Sequence, residues 1–364
     1  STGMVTLPSM RQLGYPKRIA AAVEAVASTG GQIMPPLMGA GAFVMVELTG
    51  IPYTQIILAA ALPAILYFGT VWIGVNGYAD RHDLKPYRED MRPAFRTVIA
   101  TSLFFAVPFA VLLVVMFSGY TPQFAAACAI IIAALLLLTG TDLAFNLIRT
   151  RERLMQAAIT AGRQISMIAS IILCASIIVG ILGMTGLGVK ITSGILAFSG
   201  DSLWMALMLT ALACIILGME VPTTAAYVIC VSVAGPALID MGVAPILVHL
   251  FIFWYALLST ITPPVCGGVF IAASMVEENW LPVAVSAMSL GLGLYVIPLA
   301  IIRHPELTGL ANAPIAAILT ALQIGVGLAL LGRGLTAPHL LPVRVSLIAA
   351  GIVVIFLRIE LFAA

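Results

Sequence analysis

The chain has 364 residues, of which 62% are hydrophobic and only 9% charged, with a formal net charge of +2. Its mean hydropathy of +1.13 describes a surface that no soluble domain could solvate, so the bilayer is its solvent. The small net charge, and the lack of any Lys/Arg run with interleaved aromatics, argue against a nucleic-acid partner.

Taken in chain order, the first segment, 1–10, reads as one arm of a hairpin. Segment 17–49 is long enough to span a bilayer but is interrupted at Pro35-Pro36. Segments 53–78, 98–117, 121–139 and 164–184 are uninterrupted apolar runs and predict membrane spans. The next two, 202–217 and 224–240, are too short and too close at Gly218–Thr224 for two ordinary spans, and predict a re-entrant hairpin. Segment 245–276 is interrupted at Pro263-Pro264, and 281–302, 313–331 and 340–358 predict three further spans. The five cysteines (Cys128, Cys174, Cys214, Cys230, Cys266) lie singly, with no C-x-x-C pair and no His at metal spacing, which suits inert thiols.

Basic residues orient these segments. Of seventeen Lys and Arg, twelve fall in three groups: Arg11, Lys17 and Arg18; Arg81, Lys85, Arg88, Arg92 and Arg96; Arg149, Arg151, Arg153 and Arg163. The positive-inside tendency makes all three cytoplasmic, and the intervening spans then close in pairs. The hairpin at 202–240 exits beside Asp240 with no basic residue, as an external loop would, whereas the arm at 1–10 exits beside Arg11 and Lys17.

Two stretches also match at a fixed offset of 228 positions: Pro8 with Pro236, Gly14 with Gly242, Pro35-Pro36 with Pro263-Pro264, and Gly39 with Gly267. These residues mark where backbone breaks, so apolar composition does not explain the match. Together with the opposite exits, they predict an all-α polytopic membrane protein with an inverted-topology repeat, re-entrant hairpins and broken helices. The expected division is 1–97 for the later part of a first repeat, 98–150 for linking helices, 151–305 for a second repeat and 306–364 for extra C-terminal helices. Subtracting the same offset from the tip at 220–224 falls before residue 1, so the chain is expected to be an N-terminally truncated fragment lacking the first tip.

Irregular backbone at membrane depth is tolerated where it is buried in protein or lines a wet cavity. Three such places are candidates. The first break offers Ser28, Thr29, Gly30, Gln32, Pro35 and Pro36; the hairpin tip offers Gly218, Glu220, Pro222, Thr223 and Thr224, with the Thr pair expected to cap the following helix; the second break offers Ser259, Thr260, Thr262, Pro263 and Pro264. Prolines remove amide donors and free the carbonyls upstream, so a hard-cation site is expected near Ser28–Gln32 and Ser259–Thr262. The half-helix that follows each break turns its positive end toward it. Glu24 and Glu220 are acids at membrane depth, where a charge costs about 2.5–3.5 kcal/mol on insertion scales, and each is a functional candidate. No nucleophile–His–acid group, metal quartet or phosphate loop occurs, so no enzyme and no bound cofactor is expected.

The runs Ser28–Met38, Gly218–Tyr227 and Thr262–Val265 resemble the large membrane subunit of TRAP transporters, most closely the fused permeases that work with TAXI-type binding proteins. The resemblance covers roughly residues 1–305. It implies an elevator-type, sodium-driven importer of the bacterial inner membrane, to which a periplasmic TAXI-type protein delivers an organic anion, typically a carboxylate. It also implies that a small-subunit-like region precedes this part in fused members, and that both breaks and the tip surround the substrate and cation sites. Glu220 departs from the small residue the resemblance implies there, and an acid at that point disfavours an anionic substrate. Two rivals stand beside this reading: a carboxylate symporter or exchanger that needs no binding protein, and a structural membrane subunit without a site.

Overall fold

The computed structural model describes residues 3–36, 38–84, 95–138, 147–219 and 221–358. Among them the chain is helical, and five helical runs are long and apolar enough to cross a membrane: Tyr53–Arg81, Thr150–Thr185, Thr223–Asp240, Trp280–Arg303 and Pro314–Thr336. Two compact units are present, one formed by 1–86 with 172–364 and the other by 87–171.

In the larger unit, the first stretch of chain forms α1 (Gly3–Gln12), α2 (Lys17–Gly30), α3 (Gly39–Thr49) and α4 (Tyr53–Arg81). In the smaller unit, α5 (Phe95–Phe117) packs on α6 (Pro122–Leu138). Their side chains Phe105, Ile130, Ile131 and Leu135 stand exposed, as suits contact with lipid tails. Helix α7 (Leu147–Thr185) follows, and then α8 (Leu187–Ser199), α9 (Leu203–Leu217), α10 (Thr223–Asp240), α11 (Pro245–Leu258) and α12 (Gly267–Met275). The chain continues through α13 (Trp280–Leu290), α14 (Leu292–Arg303), a 3-10 turn at Pro305–Thr308, α15 (Pro314–Thr336) and α16 (Leu341–Phe356).

The 228-residue offset governs the backbone as well as the sequence. Helices α2 and α11 begin at residues 17 and 245 and end at 30 and 258, while α3 and α12 begin at 39 and 267. Before each first half-helix, a glycine takes a left-handed conformation, Gly14 at φ 90° and Gly242 at φ 87°. These two glycines close the preceding helix with the same pair of bonds: Gly14 N–H to Arg11 O and Tyr15 N–H to Met10 O in one copy, Gly242 N–H to Ile239 O and Val243 N–H to Leu238 O in the other. Such an αL cap satisfies carbonyls a helix end would leave open, and glycine adopts it without a Cβ clash. After each half-helix, the chain tightens alike: Gln32 N–H to Thr29 O and Ile33 N–H to Gly30 O, matched by Thr260 N–H to Leu257 O and Ile261 N–H to Leu258 O.

Four features depart from the expected segments. Helix α8 falls between the expected segments, since its thirteen residues are too short to span and include Lys190. Helix α7 reaches back through the charged stretch at 151–163 that had seemed to lie outside the span. The apolar run at 281–302 is divided at Gly291, where a Cβ would come within 2.6 Å of Ile261 Cδ1. The Thr pair does not cap α10: Pro222 holds the cap position at φ −54°, and no side chain accepts the first amides.

The core of the larger unit is aromatic and centres on α11. Trp254, Phe251 and Phe253 are fully or almost fully buried, with Tyr67 of α4 packed edge-on against Trp254 at 6.1 Å. Tyr227 of α10 meets Phe253 in the same edge-on manner at 5.5 Å and places its hydroxyl 2.6 Å from His249 Nδ1. Edge-on geometry suits ring quadrupoles, and a buried phenol needs a polar partner. The C-terminal helices α15 and α16 pack on each other, and α15 packs on α4.

Candidate functional site

The tip between α9 and α10 sits on the second break. A Cβ at Gly218 would stand 2.9 Å from the Cys214 carbonyl and 3.0 Å from Ser259 Oγ, so only glycine fits this approach without displacement. Ser259 is buried and donates to Ala256 O at 2.8 Å. Next to it, Thr260 Oγ1 lies 3.1 Å from Thr29 Oγ1 of the first break. The tip, the second break and the first break therefore form one continuous junction.

Hydroxyl protons are scarce at this junction. Thr29 Oγ1 also lies 2.9 Å from Ala25 O, and Thr260 Oγ1 2.7 Å from Leu257 O. Each hydroxyl carries one proton and two acceptor sites, so two protons serve three contacts. The Thr29 and Thr260 hydroxyl oxygens therefore keep acceptor sites that no proton at the junction fills.

The carbonyls freed by the prolines are divided between anchors and open positions. Tyr53 donates to Pro36 O, and the Gly268 amide at the start of α12 donates to Thr260 O at 3.2 Å. Among the described residues, no hydrogen bond reaches the carbonyls of Gly31, Gln32, Ser259, Ile261 or Thr262. The helices that start at the tip and at the breaks, α10, α3 and α12, all lack a side-chain cap. Their positive ends are thereby left to other partners.

Not every expected residue joins this junction. Ser28 is exposed and its hydroxyl turns back to Ala25 O at 3.2 Å. Gly30 is helical and serves packing, since a Cβ there would lie 2.7 Å from the Tyr67 ring. Pro35 and Pro263 are half-buried, Pro36 is buried and Pro264 exposed; both Pro-Pro bonds are cis. Gln32, Thr223 and Thr224 are half-buried, and among the described residues no side-chain hydrogen bond ties them to the junction. Glu220 lies outside the described residues. Glu24 of α2 accepts a hydrogen bond from Thr6 of α1, away from the breaks.

Two tyrosines that the sequence reading left unassigned support the breaks. Tyr295 OH lies 2.6 Å from Thr262 Oγ1, and Tyr67 OH donates to Val26 O at 2.9 Å. These two residues are themselves 228 apart, so each repeat steadies its own broken helix with the equivalent tyrosine. Tyr255 adds a bond to Tyr295 O at 2.9 Å. The available signal was the shared offset together with the need of a buried phenol for a partner.

Paired broken helices, a re-entrant tip and an oxygen-rich junction between them define an all-helical membrane permease built from an inverted repeat. The model of one family, the DctM component of the tripartite ATP-independent periplasmic transporter, matches residues 1–331, and the chain belongs to that family. It is a TRAP-transporter permease of the inner membrane, and the family is one of transporter components, not of enzymes. DctM components work with a periplasmic binding protein and a small membrane subunit. No curated protein matches the chain.

Proposed function

We propose that this permease imports an organic anion, a carboxylate, together with sodium, and receives it from a TAXI-type periplasmic binding protein. The carrying observation is the junction of Gly218, Ser259, Thr260 and Thr29, where oxygens outnumber protons and neighbouring carbonyls are unclaimed among the described residues. Sodium takes oxygen ligands of this kind, and its charge offsets that of a carboxylate drawn to the uncapped ends of α3, α10 and α12. Gly218 lies directly over Ser259, so cation binding in the second break and closure of the tip are mechanically joined. Each sodium moving down about 100 mV supplies ~2.3 kcal/mol, so two ions support strong accumulation.

The test is uptake of a labelled carboxylate into proteoliposomes holding the assembled transporter. Uptake is expected to follow an inward sodium gradient and to stop when either sodium or the binding protein is withheld. Uptake that persists with both absent would overturn the proposal.

A further inference from the structure

Helix ends rich in arginine gather at one edge of the larger unit. Arg18 in the first turn of α2, Arg81 at the end of α4 and Arg344 in α16 line one cavity of about 380 Å³. Tyr78 and the α13 serines Ser286 and Ser289 complete its polar wall, and none of its lining residues is acidic. Asp80, the nearest acid in sequence, lines a separate cavity with Arg333 and His339. Arg344 is fixed by donating to Gly334 O at 2.9 Å and Leu335 O at 3.1 Å. Arg18 and Arg81 are exposed and make no hydrogen bond or ion pair among the described residues. Among the described residues no counter-charge lies beside these three guanidinium groups, and an anion seated between them would relieve their mutual repulsion.

The cavity continues into an apolar one. Val285, Ser289 and Leu335 belong both to it and to a second, open space of about 360 Å³ that Met288, Leu292 and Tyr295 also line. Charge at one end and a greasy trough at the other match one ligand chemistry, a phosphate headgroup with an acyl chain. The positive-inside tendency sets these arginines at the cytoplasmic membrane face, at headgroup level.

The geometry points to a binding site for one anionic phospholipid, its phosphate among Arg18, Arg81 and Arg344 and one chain along α13 toward Tyr295. Tyr295 holds Thr262, so the bound chain abuts the side chain that steadies the second break.

Native mass spectrometry of the delipidated full chain tests this, with phosphatidylglycerol, phosphatidylcholine, and glycerol phosphate as the chain-free control. The wild-type protein is expected to retain phosphatidylglycerol and not phosphatidylcholine, with no displacement by millimolar glycerol phosphate. Arg18→Gln with Arg81→Gln removes two charges that make no side-chain bond among the described residues, and should weaken retention about thirty-fold. Arg18→Lys with Arg81→Lys keeps the charge and should retain the lipid. Leu292→Trp fills the trough and should lower retention with the arginines intact. Equal retention of both lipids, wild-type retention by the Gln double variant, or displacement by glycerol phosphate would each overturn the assignment.

Discussion

The two breaks share a backbone and differ in what holds them. In the first, Tyr53 takes the carbonyl of Pro36, Tyr67 takes that of Val26, and Ser28, Gly31 and Met34 stand exposed. In the second, Ser259 and Ile261 are buried, the Gly268 amide takes Thr260 O, and Tyr295 grips the Thr262 hydroxyl. The first break is thus anchored through backbone carbonyls by side chains of α4. The second is anchored partly through its own hydroxyls and lies under the hairpin tip. Duplication preserved the path of the chain, while the side chains that support it came to differ.

Substitutions that break this contrast should rank accordingly. Gly218→Val drives a branched side chain into Cys214 O and Ser259 Oγ, an overpacking that costs about 1–3 kcal/mol. Uptake should fall about tenfold or more while the purified protein stays monodisperse. Tyr295→Phe removes the partner of Thr262, a bond worth about 0.5–1.5 kcal/mol, and should raise the sodium concentration for half-maximal uptake several-fold. Tyr67→Phe should shift it less than about twofold, because Val26 O lies within helix α2 and has helical bonding to fall back on. Equal shifts in the two variants would show that the breaks are steadied alike.

The cross-break contact is weaker still. A cycle of Thr29→Val, Thr260→Val and the double variant should give a coupling of ~0.6 kcal/mol in micellar unfolding, the usual size for such bonds in membranes. The smallest effect belongs to Gly31→Ala. Its backbone is right-handed at φ −58° and its new Cβ would meet only Ser28 O at 3.4 Å, so stability should stay within about 0.5 kcal/mol.

Much of this was visible in the residues alone because Gly and Pro dictate backbone directly. The breaks, the tip and the matched starts of α2 and α11 all follow from them. Apolar periodicity, by contrast, could not separate α13 from α14, since Gly291 sits within an unbroken hydrophobic run and its reason is contact with Ile261. Side-chain roles were the least legible. Thr223 and Thr224 looked like caps, yet Pro222 occupies that position. Tyr53, Tyr67 and Tyr295 carried no sequence signal of their own, yet their hydroxyls reach Pro36 O, Val26 O and the Thr262 hydroxyl.

The hydroxyl bridge between Thr29 and Thr260 spans 231 positions, not 228. Under an ideal two-fold relation it would have a twin, formed by the residues that correspond to each partner. Those are Leu257 and Gln32, and leucine has no group with which to make that bond. The centre of the molecule is therefore asymmetric with respect to its own duplication, with a hydroxyl pair on one flank and a Leu257 and Gln32 pair on the other. Two ions seated on opposite flanks would meet unequal ligands, so their occupancy would follow an order.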